Sequence, residues 1–282
     1  MIGSWRFGEV PGEPRVSEGT PQRHALLEVG GPVPRVEGAP LGGYAVRFDR
    51  GSHLQIPYEH TGDLNISGRR AQVSIFAVVR MNTTEKRGGS VAGMWSEGKG
   101  KGDDTGTRQY ALLLDMPTYG GPKQVTPHVS SEGGASRRAD GSMLPWCGDY
   151  AATPKRYPMG RWCSLGMTYD GDWLRAYLDG VAEPRTLDPE ADHRDDPYFT
   201  REGPGDGGRG MNPYFHGRGI FCYDPALHAA TKRPPSPFEV GAREVHGKAG
   251  SEPLEGDLAA LVVFNRCLSP EDMLSLHVAA GL

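Results

Sequence analysis

Residues 162–184, WCSLGMTYDGDWLRAYLDGVAEP, contain the local signals that decide the fold. Residues 164–169 form a mostly apolar run, Asp170-Gly171 follows it, and residues 174–178 then alternate between two faces. An Asp-Gly pair between two such runs is typical of a β-hairpin, because tight hairpin turns need positive φ angles that glycine adopts without strain. A second pair, Asp179-Gly180, closes the second run. We therefore predict a β-meander and an all-β protein.

The composition supports this fold class. Of 282 residues, 37% are apolar, 41 are glycine and 24 are proline, which favours short strands joined by turn-rich loops. No repeat or second hydrophobic core is evident, so we predict one domain over residues 1–282. The net charge of −4 and the lack of a Lys/Arg block argue against a nucleic-acid partner. No apolar run approaches the roughly 18 residues of a membrane span, so membrane insertion is not expected.

The first residues and the cysteines bear on location. Residues 1–13 lack a basic segment followed by an apolar run, so we expect a cytoplasmic protein, or a secreted one if a leader has been removed. The four cysteines, Cys147, Cys163, Cys222 and Cys267, show no CxxC spacing. Free thiols are therefore expected.

Strand and helix signals divide the rest of the chain. Residues 1–43 are predicted to be irregular, with an edge strand at Trp5 and Phe7. Two long loops are predicted at 116–161 and 183–236, and a helix at 269–278 begins with the N-cap Ser269 followed by Pro270. Alternating or apolar runs predict strands at 44–49, 53–56, 71–81, 90–95, 109–115, 123–130, 164–169, 174–178, 237–242 and 256–264.

The order of these motifs resembles a known family. Its most specific parts are Trp162 with Tyr169-Asp170-Gly171 and residues 177–180, YLDG, and the terminal run 265–269, NRCLS. This pattern resembles the laminin-G-like branch of the concanavalin A-like lectin/glucanase superfamily over residues 44–114, 162–182 and 237–280. Cys267 departs from it, because a small residue such as alanine is usual there, and this favours a buried thiol over a disulfide.

The resemblance implies a two-sheet antiparallel jelly-roll β-sandwich. Members of this superfamily include carbohydrate-binding modules, lectins, glycoside hydrolases, polysaccharide lyases and protein-adhesion modules, so fold alone does not assign a function. Ligands in the family often lie across the concave sheet or at the loops along its rim. Both long loops of this chain could reach such a site.

Aromatic side chains in the loops make carbohydrate recognition our leading hypothesis. Flat rings can stack on the apolar faces of sugars while nearby polar groups bind the hydroxyls. The alternative is that these rings only anchor their own loops. A protein-adhesion module is a third interpretation. The predicted ligand-binding residues are Trp146, Tyr157, Tyr198, Tyr214 and Phe215.

An enzyme on the same fold is the second hypothesis. A polysaccharide lyase needs a cation to offset the uronate carboxylate and a Tyr or His to remove a proton. Arg108, His128, Tyr150 and His216 are of suitable types, although the strand motifs of the alginate lyases on this fold are absent. The alternating ExDxE acids of the related hydrolases are absent as well, and the acidic run at 190–196 is either a solvated loop or a calcium site.

Calcium is the one cofactor that the resemblance suggests, because a structural ion at the sandwich rim is common in relatives. Asp49, in the turn after residues 44–48, and Asp257, at the start of the last strand, are the acids expected to hold it. The alternative is that both side chains cap turns.

Overall fold

The computed structural model describes residues 1–49, 51–82, 89–98, 105–115, 123–136, 141–143, 147–183, 214–228 and 233–282, with the backbone alone at 214–216. Short strands dominate this part of the chain. Two 3-10 turns occupy Tyr58–His60 and Gly62–Leu64, and the α-helices are α1 (Pro225–His228) and α2 (Pro270–Ala279). The strands are β1 (Gly3–Trp5), β2 (Arg15–Val16), β3 (Ala25–Val29), β4 (Arg35–Ala39), β5 (Gly43–Phe48), β6 (His53–Ile56), β7 (Val73–Met81), β8 (Gly89–Met94), β9 (Tyr110–Leu114), β10 (Val125–Val129), β11 (Trp162–Tyr169), β12 (Trp173–Leu178), β13 (Tyr214–His216), β14 (Phe238–Val240), β15 (Arg243–Val245), β16 (Lys248–Ser251) and β17 (Gly256–Phe264).

The strands form two large antiparallel sheets. The eight-stranded sheet has the order β13-β12-β11-β7-β17-β5-β4, and β1 pairs separately with β17. The seven-stranded sheet has the order β10-β9-β8-β14-β6-β3-β2. Strands β15 and β16 form a small hairpin of their own.

One hydrophobic core lies between the two large sheets. From the eight-stranded sheet it contains alternate residues of β7, namely Val73, Ile75, Ala77 and Val79, which therefore share one face of the strand predicted at 71–81. From the seven-stranded sheet it contains side chains such as Tyr110 and Phe238. The two sheets therefore pack as a β-sandwich.

The predicted hairpin is present, but the meander is not continuous in sequence. Strands β11 and β12 pair from Leu165–Leu178 to Tyr169–Leu174 across the Asp170-Gly171 turn. After the second turn, Val181 pairs back with Leu178 in an isolated bridge. The third neighbouring strand is β13, which the chain supplies only after residues 184–213.

Helix α2 covers the outside of the eight-stranded sheet. Ser269 caps it as predicted: its hydroxyl accepts from the Asp272 N–H, and the Ser269 N–H donates to the Asp272 carboxylate. Met273 is buried in a second cluster with Phe76 and Tyr177. The same sheet is thus covered on both faces.

The N-terminal segment is more ordered than predicted. Residues 1–43 contribute four whole strands, β1 to β4, and the first residue of β5, instead of one edge strand. Trp5 ends β1, but Phe7 has a φ of 55° and is buried outside any strand. Strands β2 to β4 were missed because they are short and lack regular alternation, and β3 is held by its pairing with β6.

Two further features concern the chain as a whole. Its four cysteines are free; Cys147 and Cys163 are buried, Cys267 is half-buried and Cys222 is exposed. No helix among the described residues is long and apolar enough to cross a membrane.

The two glycine turns offer a matched stability test. Gly171 and Gly180 both have positive φ, 97° and 74°. A Cβ at Gly180 would lie 2.9 Å from Leu274 Cα, whereas one at Gly171 would meet nothing closer than 3.4 Å. We expect Gly171→Ala to cost about 1 kcal/mol of unfolding free energy from backbone strain and Gly180→Ala about 2–3 kcal/mol from strain plus overpacking against α2. Urea unfolding measures both; equal losses would contradict the proposed contact with α2.

Candidate functional site

The face of the seven-stranded sheet that points away from the core, here called the outer face, carries a transverse row of residues. Strand registers align Gln55, Glu239, Gly93, Ala111 and His128 across β6, β14, β8, β9 and β10. Their neighbours in sequence point into the core, so these five residues face away from it. The centre of the row holds only the small residues Gly93 and Ala111, and the larger polar and aromatic groups stand on either side.

An aromatic cluster, made of Trp95, His128 and Tyr150, stands at one end of this row. The imidazole of His128 stacks on the Tyr150 ring with centroids 5.1 Å apart and planes 19° apart. Trp95 meets the same imidazole edge-on at 5.3 Å. A backbone bridge between His128 and Tyr150 fixes this arrangement. All three side chains are buried, with exposed fractions of 5% or less.

A charge cluster, made of Glu97, Arg108, Arg243 and Glu252, adjoins the aromatic cluster. Glu97 Oε1 lies 3.2 Å from Arg243 Nε, and Glu97 Oε2 lies 3.9 Å from an Arg108 nitrogen. Arg243 also pairs with Glu252, and Arg108 lies 5.9 Å from the Trp95 ring centroid. Burial opposes ionisation of Glu97, but the two arginines more than offset it and lower its pKa. The cluster therefore consists of paired charges.

His128 is held in its neutral form. Burial is the main cause that lowers the pKa of His128 to about 3. Its Nδ1 lies 2.7 Å from the Thr126 carbonyl oxygen, so in the neutral ring Nδ1 carries the proton and donates it. The hydroxyl of Thr126, two residues away on the same face, is buried and has no hydrogen-bond partner within the part of the chain that is described.

Asp149 lies next to Tyr150 in sequence. Burial raises the pKa of Asp149 to about 6, although a 2.6 Å hydrogen bond from the Ser136 hydroxyl works in the opposite direction. At neutral pH this carboxyl group is ionised, and it becomes protonated in mildly acidic solution. It adds a titratable group beside the aromatic cluster.

A second, more accessible group of rings lies at the end of the same sheet. This rim platform consists of Tyr58, Tyr223 and His228, all half-buried. Tyr58 contacts Tyr223 edge-on at 5.5 Å, and His228 stacks on Tyr223 at 5.0 Å. Tyr58 follows β6, and the segment that carries Tyr223 is joined to the end of β10 through a 2.6 Å bond from Phe221 N–H to the Ser130 carbonyl.

Three of the four predicted catalytic residues come together. The Trp95 ring contacts both Arg108 and His128, and Tyr150 stacks on His128. His216 does not join them, because its strand β13 belongs to the eight-stranded sheet, where it pairs with Trp173.

The predicted ligand-binding residues are placed differently. Tyr157 is buried and its hydroxyl donates to Asp115, and burial raises the pKa of both groups. The backbone of Tyr214 and Phe215 pairs with β12. Trp146 and Tyr198 lie outside the described residues.

The two acids expected to hold calcium have distinct surroundings. Asp257 is fully buried at its side chain, and its two oxygens accept hydrogen bonds from Arg47 at 2.7 Å and Arg80 at 2.7 Å. Asp49 is exposed. Among the residues whose positions are described, no group of three or more His, Cys, Asp or Glu side chains could hold a metal ion.

Sequence reasoning missed several side chains of this region. Trp95 is the last residue of the predicted strand 90–95, and Glu97 lies two residues after it. Tyr58 and His228 lie in segments predicted as loops. The aromatic content of the second half of the 183–236 loop was the available signal for His228. Nothing local marks Tyr58 or Glu97 as part of these clusters, because Tyr223 and Arg243, which contact them, lie more than 100 residues away.

Comparison with known proteins bears on the fold. No protein-family model and no curated protein matches the chain. A mutant of Trypanosoma rangeli sialidase displaying trans-sialidase activity aligns with a TM-score of 0.51 and 13% identity, over 99% of this chain and 33% of the sialidase chain. The chain thus spans only a third of that protein's length, and at this identity the likeness concerns the fold alone.

Two smaller structures align less closely. Domain 4 of AbnA, a GH43 extracellular arabinanase from Geobacillus stearothermophilus, has a TM-score of 0.48 and 14% identity over 90% of this chain and 88% of that domain. The Ruminococcus gnavus IT-sialidase CBM40 has a TM-score of 0.47 and 11% identity over 83% and 96%. TM-scores below 0.5 do not establish a shared fold.

The neutral state of His128 can be measured directly. Because burial lowers the pKa of His128 to about 3, we expect its ring signals in heteronuclear NMR to stay constant between pH 8 and 5 and to report a proton on Nδ1. The protein unfolded in urea is the control, since an unperturbed histidine has a pKa of about 6.5. A midpoint above about pH 5 in the folded protein would contradict the buried, neutral state.

The ion pairs of Asp257 make stability depend on acidity. Burial opposes ionisation, but Arg47 and Arg80 lower the pKa of Asp257 in the folded chain. Its contribution is therefore present above the unfolded value of about 3.9 and lost as the pH falls below it. We expect Asp257→Asn to lower the unfolding free energy by about 2 kcal/mol at pH 7, with the difference shrinking at acidic pH. The exposed Asp49→Asn serves as the control, with an expected change of less than about 0.5 kcal/mol by urea unfolding.

Proposed function

We propose that this chain is a carbohydrate-recognising laminin-G-like jelly roll of the concanavalin A-like superfamily, and that its glycan ligand binds at the rim of the seven-stranded sheet, next to the aromatic and charge clusters of the outer face. The sequence motifs and the two packed antiparallel sheets support this assignment. The fold likeness to a sialidase is compatible with a sugar ligand.

The observation that carries the proposal is that aromatic rings and unsatisfied polar atoms share one region of the molecule. The Thr126 hydroxyl and the Arg108 Nε are both buried and lack hydrogen-bond partners within the described residues. Buried polar groups without partners are costly, and ligand hydroxyls can satisfy them. Trp95, His128 and Tyr150 supply apolar ring surface beside them. Apolar surface with a few placed polar groups is the usual composition of a small-ligand site.

An enzyme is the second candidate, because Arg108, His128 and Tyr150 come together. In a polysaccharide lyase Arg108 would offset the uronate carboxylate, and Tyr150 or neutral His128 would accept the C5 proton. The pairing of Arg108 with Glu97 weakens this assignment, since that guanidinium is already partly neutralised. Ultraviolet absorbance of unsaturated products, released from a uronate polysaccharide, tests it.

Calcium binding by Asp49 and Asp257 stays a prediction. Both carboxylate oxygens of Asp257 already accept hydrogen bonds from cations, one from Arg47 and one from Arg80. A calcium ion would have to share its carboxylate with both arginines.

Affinity electrophoresis in gels that contain neutral or anionic polysaccharides tests the binding proposal. We expect the protein to be retarded in at least one gel and the retardation to be lost in Tyr150→Ala, which removes the ring stacked on His128. Tyr44→Ala is the matched control, because Tyr44 is exposed on β5 of the other sheet. Thermal melting shows whether each variant is folded. No retardation in any gel would sink the proposal.

A further inference from the structure

The rim platform identifies where a sugar ring can bind and what charge it can carry. We infer that Tyr223 is a stacking residue for one pyranose ring and that the glycan is uncharged. This inference rests on the proposed carbohydrate function and adds a subsite and a ligand class to it.

The platform is the accessible aromatic surface of this region. Trp95, His128 and Tyr150 are 5% exposed or less, whereas Tyr58 and Tyr223 are half-buried, so a ligand can reach the latter pair from solvent. A ring that is supported by other rings and can still be reached from solvent suits stacking against the apolar face of a sugar.

Tyr223 is fixed in place before any ligand arrives. Its hydroxyl donates to the Arg233 carbonyl at 2.8 Å, and its ring packs between Tyr58 and His228. The Phe221 ring in turn supports His228 edge-on at 5.2 Å. A ring that is already immobilised loses little conformational freedom on binding, and such rings favour affinity.

The platform continues into the outer face. Phe221 is bonded to Ser130, which directly follows β10, and its ring lies against Gly133, where a Cβ would come within 2.9 Å. The Gly133 carbonyl accepts the backbone N–H of Arg108 at 3.0 Å. The platform is therefore joined through Phe221 and Gly133 to the segment that carries Arg108.

The arginines of this region are already paired. Arg243 and Arg108 share Glu97, and Arg243 also pairs with Glu252. Arg233 donates to the Gly106 carbonyl and lies over the Phe221 ring at 5.4 Å. A carboxylate on a sugar would have to compete with Glu97 for Arg108 and Arg243.

Further acids line the approach. Glu132 lies near the buried Asp149, and Arg218 and Arg108 are the cations that act on Asp149. Asp224 adjoins Tyr223 in the platform itself. An anionic sugar would add a further negative charge beside these carboxylates, whereas an uncharged sugar can use the same groups as hydrogen-bond acceptors.

Isothermal titration calorimetry on the full chain tests both parts of the inference. The probes are neutral oligosaccharides (cello-, xylo-, laminari- and manno-oligosaccharides) and anionic ones of similar length (oligogalacturonate, oligomannuronate and a sialylated oligosaccharide). We expect binding of at least one neutral probe, about tenfold or more weaker in Tyr223→Ala, and weakened less in Tyr223→Phe, which keeps the ring.

Two further variants complete the design. Tyr58→Ala removes the supporting ring from a different part of the chain and should also weaken binding, so the inference stays testable if Tyr223→Ala does not fold. Tyr44→Ala, on the other sheet, should bind like the wild type. Thermal melting shows which variants are folded.

The outcomes separate the inference from the proposed function. Binding of anionic probes alone would overturn the uncharged-ligand class but leave carbohydrate recognition standing. If the Tyr223→Ala and Tyr58→Ala variants are folded and bind the neutral probes as tightly as the wild type, the subsite at Tyr223 is overturned. Binding of no probe at all would overturn the inference together with the proposed function.

Discussion

The structure depends on the pairing of β7 with β17. The two strands are joined over eight residue pairs, from Met81–Gly256 to Ser74–Phe264, and bring together segments about 180 residues apart. Along its other edge, β7 pairs with β11 over eight further residue pairs. Each face of these strands is buried, one against the seven-stranded sheet and one under α2. Because strands buried on both faces contribute the most apolar area, this pairing organises the remaining strands around it.

The two sheets are covered differently, and this difference positions the candidate site. The outside of the eight-stranded sheet packs against α2 through apolar residues such as Phe76 and Met273. The outer face of the seven-stranded sheet instead holds buried polar and charged groups, among them Glu239, Arg108 and His128. Such groups cost stability unless each finds a partner. Their concentration on one face is the reason that we propose a ligand site beside it.

Local signals predicted the strands well where turn and periodicity agreed. The run at 162–178, the alternation of β7 and the cap at Ser269 appear as expected, because each depends on residues within a few positions. Strands β2 to β4 of the first 43 residues were not predicted, since a strand such as β3 exists through its pairing with β6. For the site, the sequence indicated Arg108, His128 and Tyr150 by their residue types. It did not indicate that His216 lies on the other sheet.

The sequence by itself determined an all-β chain with its hairpin turn, its C-terminal helix and a pool of aromatic and charged loop residues. Turn conformation and strand periodicity are encoded by near neighbours, so they can be read in one dimension. Only the tertiary structure decided which of those residues meet. Trp95 joins Arg108 to His128, and Tyr58 meets Tyr223, because strand registers set far along the chain bring their backbones together. A side chain's partners, burial and charge state follow from that register and not from its neighbours in sequence.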